Sequence, residues 1–169
     1  MGVRDRSRGQ HRGGPGLDRP GTSVSTAGRH VRIPAELAEV AGVRALVRDV
    51  AGVADAPVAC MDDLVQAVDE AVTNVIRHGY AGAPGWIDVT AALVGDRIVV
   101  TLEDDAPTFD PTTVGDPDLT VPPERRRPGG MGVHLTRQAM DTIEHTARPG
   151  GGNILAMARR LDPRPKEER

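Results

Sequence analysis

The sequence predicts an α+β fold, a sandwich in which helices are grouped around one mostly antiparallel sheet. Three observations predict it. Stretches with helical periodicity alternate with strand-like runs between residues 29 and 161. Two of those runs meet at Gly95-Asp96, a hairpin signal that makes the strands antiparallel neighbours. A chain of 169 residues with 38% hydrophobic residues supports one core, so both kinds of element must share it.

Arg29 to Ile33 reads as a short strand, and Pro34 fits the opening of a helix with Leu37, Val40, Val43, Leu46, Val47 and Val50 at helical spacing. Gly52 to Pro57 breaks that helix. A second, longer helix runs from about Val58 to His78, with Gly79 placed just past its end. Strands Trp86 to Val94 and Arg97 to Glu103 follow. Asp104 to Pro128 is rich in Pro, Asp and Arg and has no period, the mark of a functional or disordered loop. A helix over about Gly132 to Met140 leads into two last strands, Thr142 to Ala147 and Asn153 to Arg160, joined by the turn Arg148 to Gly152. Residues 1 to 28 combine Gly, Pro, Ser and Arg with few large apolar side chains and read as a disordered tail; residues 162 to 169 read as a second polar tail.

Composition narrows the function. A net charge of -3 supplies no field to attract nucleic acid, and Trp86, Tyr80 and Phe109 are too few to stack on successive bases. No apolar run approaches the roughly 20 residues that span a bilayer. The amino end lacks the apolar core of a secretory signal, and the single Cys60 has no disulfide partner in the chain. These features predict a cytoplasmic protein with no membrane and no direct nucleic-acid contact.

Three segments carry chemistry. In the second helix Asp63, Gln66, Glu70, Asn74 and Arg77 share one sector, with His78 at its margin and Met61, Leu64, Val65, Val68, Val72, Val75 and Ile76 opposite. An ordinary amphipathic helix explains most of that pattern. Asn74, however, costs a helix roughly 0.5 kcal/mol against Ala. One turn after Glu70 it presents a carboxamide beside a carboxylate, a plausible single protein ligand for Mg²⁺ next to a proton acceptor. His78 can help position phosphates or cap the last helical carbonyls. The second segment, Glu103 to Pro107, sets carboxylates where a strand ends. It is either a plain turn or a place where an Asp accepts a hydrogen bond from an exocyclic amine such as adenine N6. The third, Pro128 to Gly132, precedes a helix start suited to phosphate, although flexible lids look alike and no P-loop lysine follows.

Taken jointly, Glu-Ala-Val-Thr-Asn-Val-Ile-Arg-His-Gly-Tyr at 70–80, Glu-Asp-Asp-Ala-Pro-Thr-Phe-Asp-Pro at 103–111 and Gly-Gly-Met-Gly-Val-His-Leu-Thr-Arg-Gln-Ala-Met-Asp at 129–141 resemble the nucleotide-binding boxes of the GHKL (Bergerat-fold) ATPases. The branch the chain resembles is that of the anti-sigma factor serine kinases. The resemblance implies a two-layer α/β sandwich with the sheet covered on one face by helices, and ATP held between the second helix and a lid loop, with Asn74 binding Mg²⁺ and Glu70 as catalytic base. It puts the adenine-reading aspartate at Asp104 and the lid-end glycines at Gly130 and Gly132. Arg77, His78, Ala106, Met131 and Val133 stand beside them as further nucleotide contacts. The glycine usual two places after the aspartate is Ala106 here.

The implied activity is transfer of the ATP γ-phosphoryl group to a serine or threonine of a small anti-sigma antagonist, coupled to sequestration of a sigma factor. A homodimer is an expectation of the family. Arg125, Arg126 and Arg127 would neutralise phosphate or an acidic partner, or form a solvated basic loop. The alternative is a nucleotide-sensing module that captures a regulatory partner without kinase activity, motivated by Ala106 and the unusual lid. A sensor histidine kinase fragment lacks room for a phospho-acceptor domain, and topoisomerases and chaperone ATPases are longer unless the chain is a fragment of one.

Overall fold

The structure is a computed structural model, and it describes residues 28–117 and 131–162. The expected tails fall outside the described residues up to 27 and from 163, as do the arginines at 125–127 and the glycines at 129 and 130. Five strands form one antiparallel sheet: β1 (Arg29–Pro34), β2 (Trp86–Val94), β3 (Arg97–Asp104), β4 (Thr142–Ala147) and β5 (Asn153–Arg160). Their spatial order is β1-β2-β3-β5-β4, so the last of the described strands inserts between the third and fourth. The β2–β3 hairpin pairs Val94 with Arg97 across Gly95, whose φ of 61° is the left-handed geometry such a turn demands.

Alternation along the strands sends one set of side chains to a common core. Ile33, Ile87, Val89, Ala91, Ile98, Val100, Leu102 and Met157 are buried there. α1 (Val40–Val53) and α2 (Val58–Asn74) cover this face with Val43, Val47, Val50, Leu64, Val68 and Val72, each less than 2% exposed. Burial of a side chain of this size contributes about 1.5–3 kcal/mol, which outweighs the modest helix propensity of so many valines. α3 (Met131–Ala139) packs against α2 at the carboxyl end of β3. The architecture is the α+β sandwich expected.

Two boundaries differ from expectation. Pro34 does not open a helix; it ends β1 opposite Trp86, and a 3₁₀ turn at Leu37–Glu39 precedes α1. β1 is an edge strand, where a residue without an N–H costs little, and the turn leaves Leu37 47% exposed. Gly79 is not the residue past the helix end. The chain widens into a π-helical segment, Val75–Tyr80, and the left-handed residues are Ala81 (φ 51°) and Gly82 (φ 89°). The physical reason is Tyr80: its ring is buried, its hydroxyl donates to the Trp86 carbonyl at 2.7 Å and accepts the Asp105 N–H at 3.1 Å.

Candidate functional site

The apolar stripe of α2 faces the sheet, which turns Glu70 and Asn74 toward α3 and a cavity of about 610 Å³. Asn74 Nδ2 donates to Glu70 Oε1 at 2.8 Å. A carboxylate only accepts, so the pairing fixes the amide and leaves Asn74 Oδ1 without a hydrogen bond among the described residues. α3 begins against the same carboxylate: a Cβ at residue 132 would overlap Glu70 Oε1, so a side chain there would displace the Glu70 carboxylate from this position. Asp63, on the same helix face, is committed elsewhere in an ion pair with Arg159 at 2.8 Å.

The cavity floor is the end of β3 and the start of β5. Asp104 is 2% exposed, and its Oδ1 accepts both the Ala106 N–H and Asn153 Nδ2, each at 2.9 Å. Oδ2 makes no hydrogen bond among the described residues, and it is the free acceptor of the pair. Burial pushes the Asp104 carboxyl above the usual carboxylate range, with the Asn153 and Ala106 hydrogen bonds pulling the other way. Asn153 in turn accepts the Phe109 N–H at 2.9 Å and bonds His145 Nε2 at 3.0 Å. Gly152 has a φ of 99°, and a Cβ on it would overlap the Asp104 carbonyl oxygen, so the two strands meet closely only because this residue is bare. Arg148 closes the corner with contacts to Asp105 Oδ1 and the Asp104 carbonyl.

Ala106 is 2% exposed, and a Cβ placed on Gly79 would stand 3.0 Å from its methyl. The methyl therefore occupies space left by a missing side chain on the π segment. On the third side, Arg137 donates to the Pro111 and Thr112 carbonyls at 2.8 Å each, and His134 Nδ1 bonds Asp116 at 3.0 Å. These contacts tie α3 to residues 111–116. Ile143, Leu155, Val75 and Val133 supply apolar lining.

All nine of the sequence-selected residues that are described line this one cavity: Glu70, Asn74, Arg77, His78, Asp104, Ala106, Met131, Gly132 and Val133. Arg77 and His78 are exposed at its rim. Gly130 lies outside the described residues. Sequence reasoning missed Asn153, His145, Tyr80 and Gly152. One signal was available for two of them, since Asn153 follows three consecutive glycines, an expensive run unless the backbone must approach something closely.

Residues 33–159 match the histidine kinase-like ATPase domain. The chain is 30% identical over 118 residues to the serine-protein kinase RsbW of Bacillus mycoides (strain KBAB4), covering 68% of this chain and 74% of that one. The same figures hold for the serine-protein kinase RsbW of Bacillus cereus (strain AH187). Among solved structures it is similar to the crystal structure of the RsbU and RsbW domains of Rv1364c from Mycobacterium tuberculosis. That likeness, with a TM-score of 0.57 and 23% identity over 80% of this chain and 32% of the other, bears on the fold.

Proposed function

The chain belongs to the histidine kinase-like ATPase domain family, and from that premise we propose that it is a cytoplasmic ATP-dependent serine/threonine protein kinase acting as an anti-sigma factor. Its phosphoryl acceptor would be a small antagonist protein, and its second partner a sigma factor held while the antagonist is phosphorylated. The observation that carries the reading is the facing of Glu70 and Asn74 across one cavity from the free Oδ2 of Asp104.

The residues fit an adenine nucleotide with Mg²⁺. Asp104 Oδ2 is an acceptor for an exocyclic amine, in a cavity whose apolar lining includes Val75, Val133, Ile143 and Leu155. Asn74 Oδ1 is a single neutral oxygen ligand, which suits Mg²⁺ because that ion takes its remaining oxygens from phosphate and water. Among the described residues no three His, Cys, Asp or Glu side chains gather into a metal cage. ATP with Mg²⁺ supplies the transferable phosphoryl group and neutralises its charge. Asn74 holds the metal side, Glu70 orients and deprotonates the acceptor hydroxyl, and Gly132 lets the first turn of α3 aim its N–H groups at phosphate. Arg77 and His78 at the rim are placed to meet phosphate oxygens or the partner. Few residues suffice, because phosphoryl transfer depends mainly on positioning and charge stabilisation.

Incubation with γ-labelled ATP and a candidate antagonist tests the proposal. Label should enter the antagonist, Glu70→Ala should lower transfer by about 10²–10⁴-fold with nucleotide affinity nearly intact, and Asn74→Ala should weaken Mg²⁺-dependent binding. Undiminished transfer by Glu70→Ala would remove that residue from the catalytic role. The non-catalytic alternative rests on Ala106 and the unusual lid, and nucleotide binding without any label entering the antagonist would favour it.

A further inference from the structure

Asn153 was assigned no role by its sequence, yet its side chain gathers Asp104, the Phe109 N–H, His145 and, at 3.4 Å each, the Ala106 and Pro107 carbonyls at one end of the cavity. Its orientation can be deduced. The Phe109 N–H can only donate, so the atom that receives it at 2.9 Å is the amide oxygen. The amide nitrogen then faces Asp104 Oδ1 at 2.9 Å, as a carboxylate requires. His145 Nε2, 3.0 Å from the same amide oxygen, must therefore be the donor, and the imidazole carries its proton there in either charge state. His145 is 6% exposed in its side chain, with Nδ1 turned toward Asp110 at 3.8 Å. The chain of contacts runs His145 Nε2–H to Asn153 Oδ1, then Asn153 Nδ2–H to Asp104 Oδ1.

This directional chain has one outcome at its far end. Oδ1 of Asp104 is saturated by two donors, so the carboxylate cannot rotate without breaking both. Oδ2 is consequently held as the acceptor that faces the cavity. We propose that Asn153, locked by His145, is a positioning residue that sets the preference for a 6-amino purine over a 6-oxo purine. A 6-amino group donates to the fixed Oδ2, whereas a 6-oxo group sets an oxygen lone pair against it. The inference rests on the proposal that an adenine nucleotide occupies this cavity.

The test is calorimetric titration of the whole chain with MgADP and with Mg-inosine diphosphate, which differ in the group at position 6. Wild-type protein should prefer ADP, and Asn153→Leu should weaken ADP by about 10–100-fold while inosine diphosphate changes by less than about threefold. His145→Leu should compress the ratio in the same sense. His145→Gln, which retains a donor near the Nε2 position, should keep the wild-type ratio. Equal losses for both nucleotides, or an unchanged ratio in Asn153→Leu and His145→Leu, would overturn the positioning role while leaving the nucleotide site standing. Should Asn153→Leu not fold, the His145 pair on the edge strand decides alone. A wild-type protein that binds neither nucleotide would overturn the site itself, an outcome distinct from the loss of preference.

Discussion

Gly79 and Ala106 form a complementary pair, a bare Cα against a methyl. Gly79→Ala alone should crowd the contact and cost about 1–3 kcal/mol, as overpacked sites do, and adding Ala106→Gly should recover most of it; a double-mutant cycle from urea melts measures the coupling. Asp104 carries a second expectation, set by its raised carboxyl. The folded protein keeps that proton to higher pH than the unfolded chain does. The stability this group contributes is therefore fully present below the unfolded carboxylate value and is lost as pH rises through the raised folded one. Recognition runs oppositely. With Oδ1 filled by two donors, the proton must sit on Oδ2 and turns the acceptor into a donor, so the ratio of ADP to inosine diphosphate affinity should fall on acidification through the same window. Glu70, Asn74 and Gly132 could be picked out from local spacing, since a turn of helix and a glycine before a helix are local features. Asn153 and His145 could not, because their meaning depends on a partner 49 residues from Asn153 in the chain.

Among elements, the π segment Val75–Tyr80 departs most from the expected pattern. Hydrophobic periodicity located α2 and its buried stripe, but the widening of its last turns follows from a tertiary anchor and leaves no periodic trace. Tyr80 is that anchor, joining the end of α2 to the start of β2 and the end of β3. Tyr80→Phe keeps the ring and strips the bridge, leaving one carbonyl and one N–H without their partner. It should destabilise the protein by about 1–3 kcal/mol. Trp86, the only tryptophan and the residue whose carbonyl accepts that bond, provides the fluorescence readout in a denaturant titration. The shift of the first helix start from Pro34 to Val40 has the same character: pairing of Pro34 with Trp86 across the sheet outweighed a local helix-opening signal.

For the whole molecule, the fold class was legible because alternation, helical period and one hairpin turn each constrain it independently. The order β1-β2-β3-β5-β4 was not, since nothing local says which strand enters the interior. That order creates the cavity floor by setting Asn153 beside Asp104. Binding there should stabilise the domain as a unit. MgADP at about a hundred times its dissociation constant should add about 2.7 kcal/mol, seen as a raised unfolding midpoint, with a smaller rise for inosine diphosphate at equal concentration. The internal position of β5 also bears on how the protein is made. It is the last described strand to leave the ribosome, and until it emerges β4 lacks its partner strand and Asp104 is held by the Ala106 N–H without the Asn153 amide. A nascent chain carrying the second helix and the hairpin thus lacks the cavity floor, which is completed only when β5 pairs with β3.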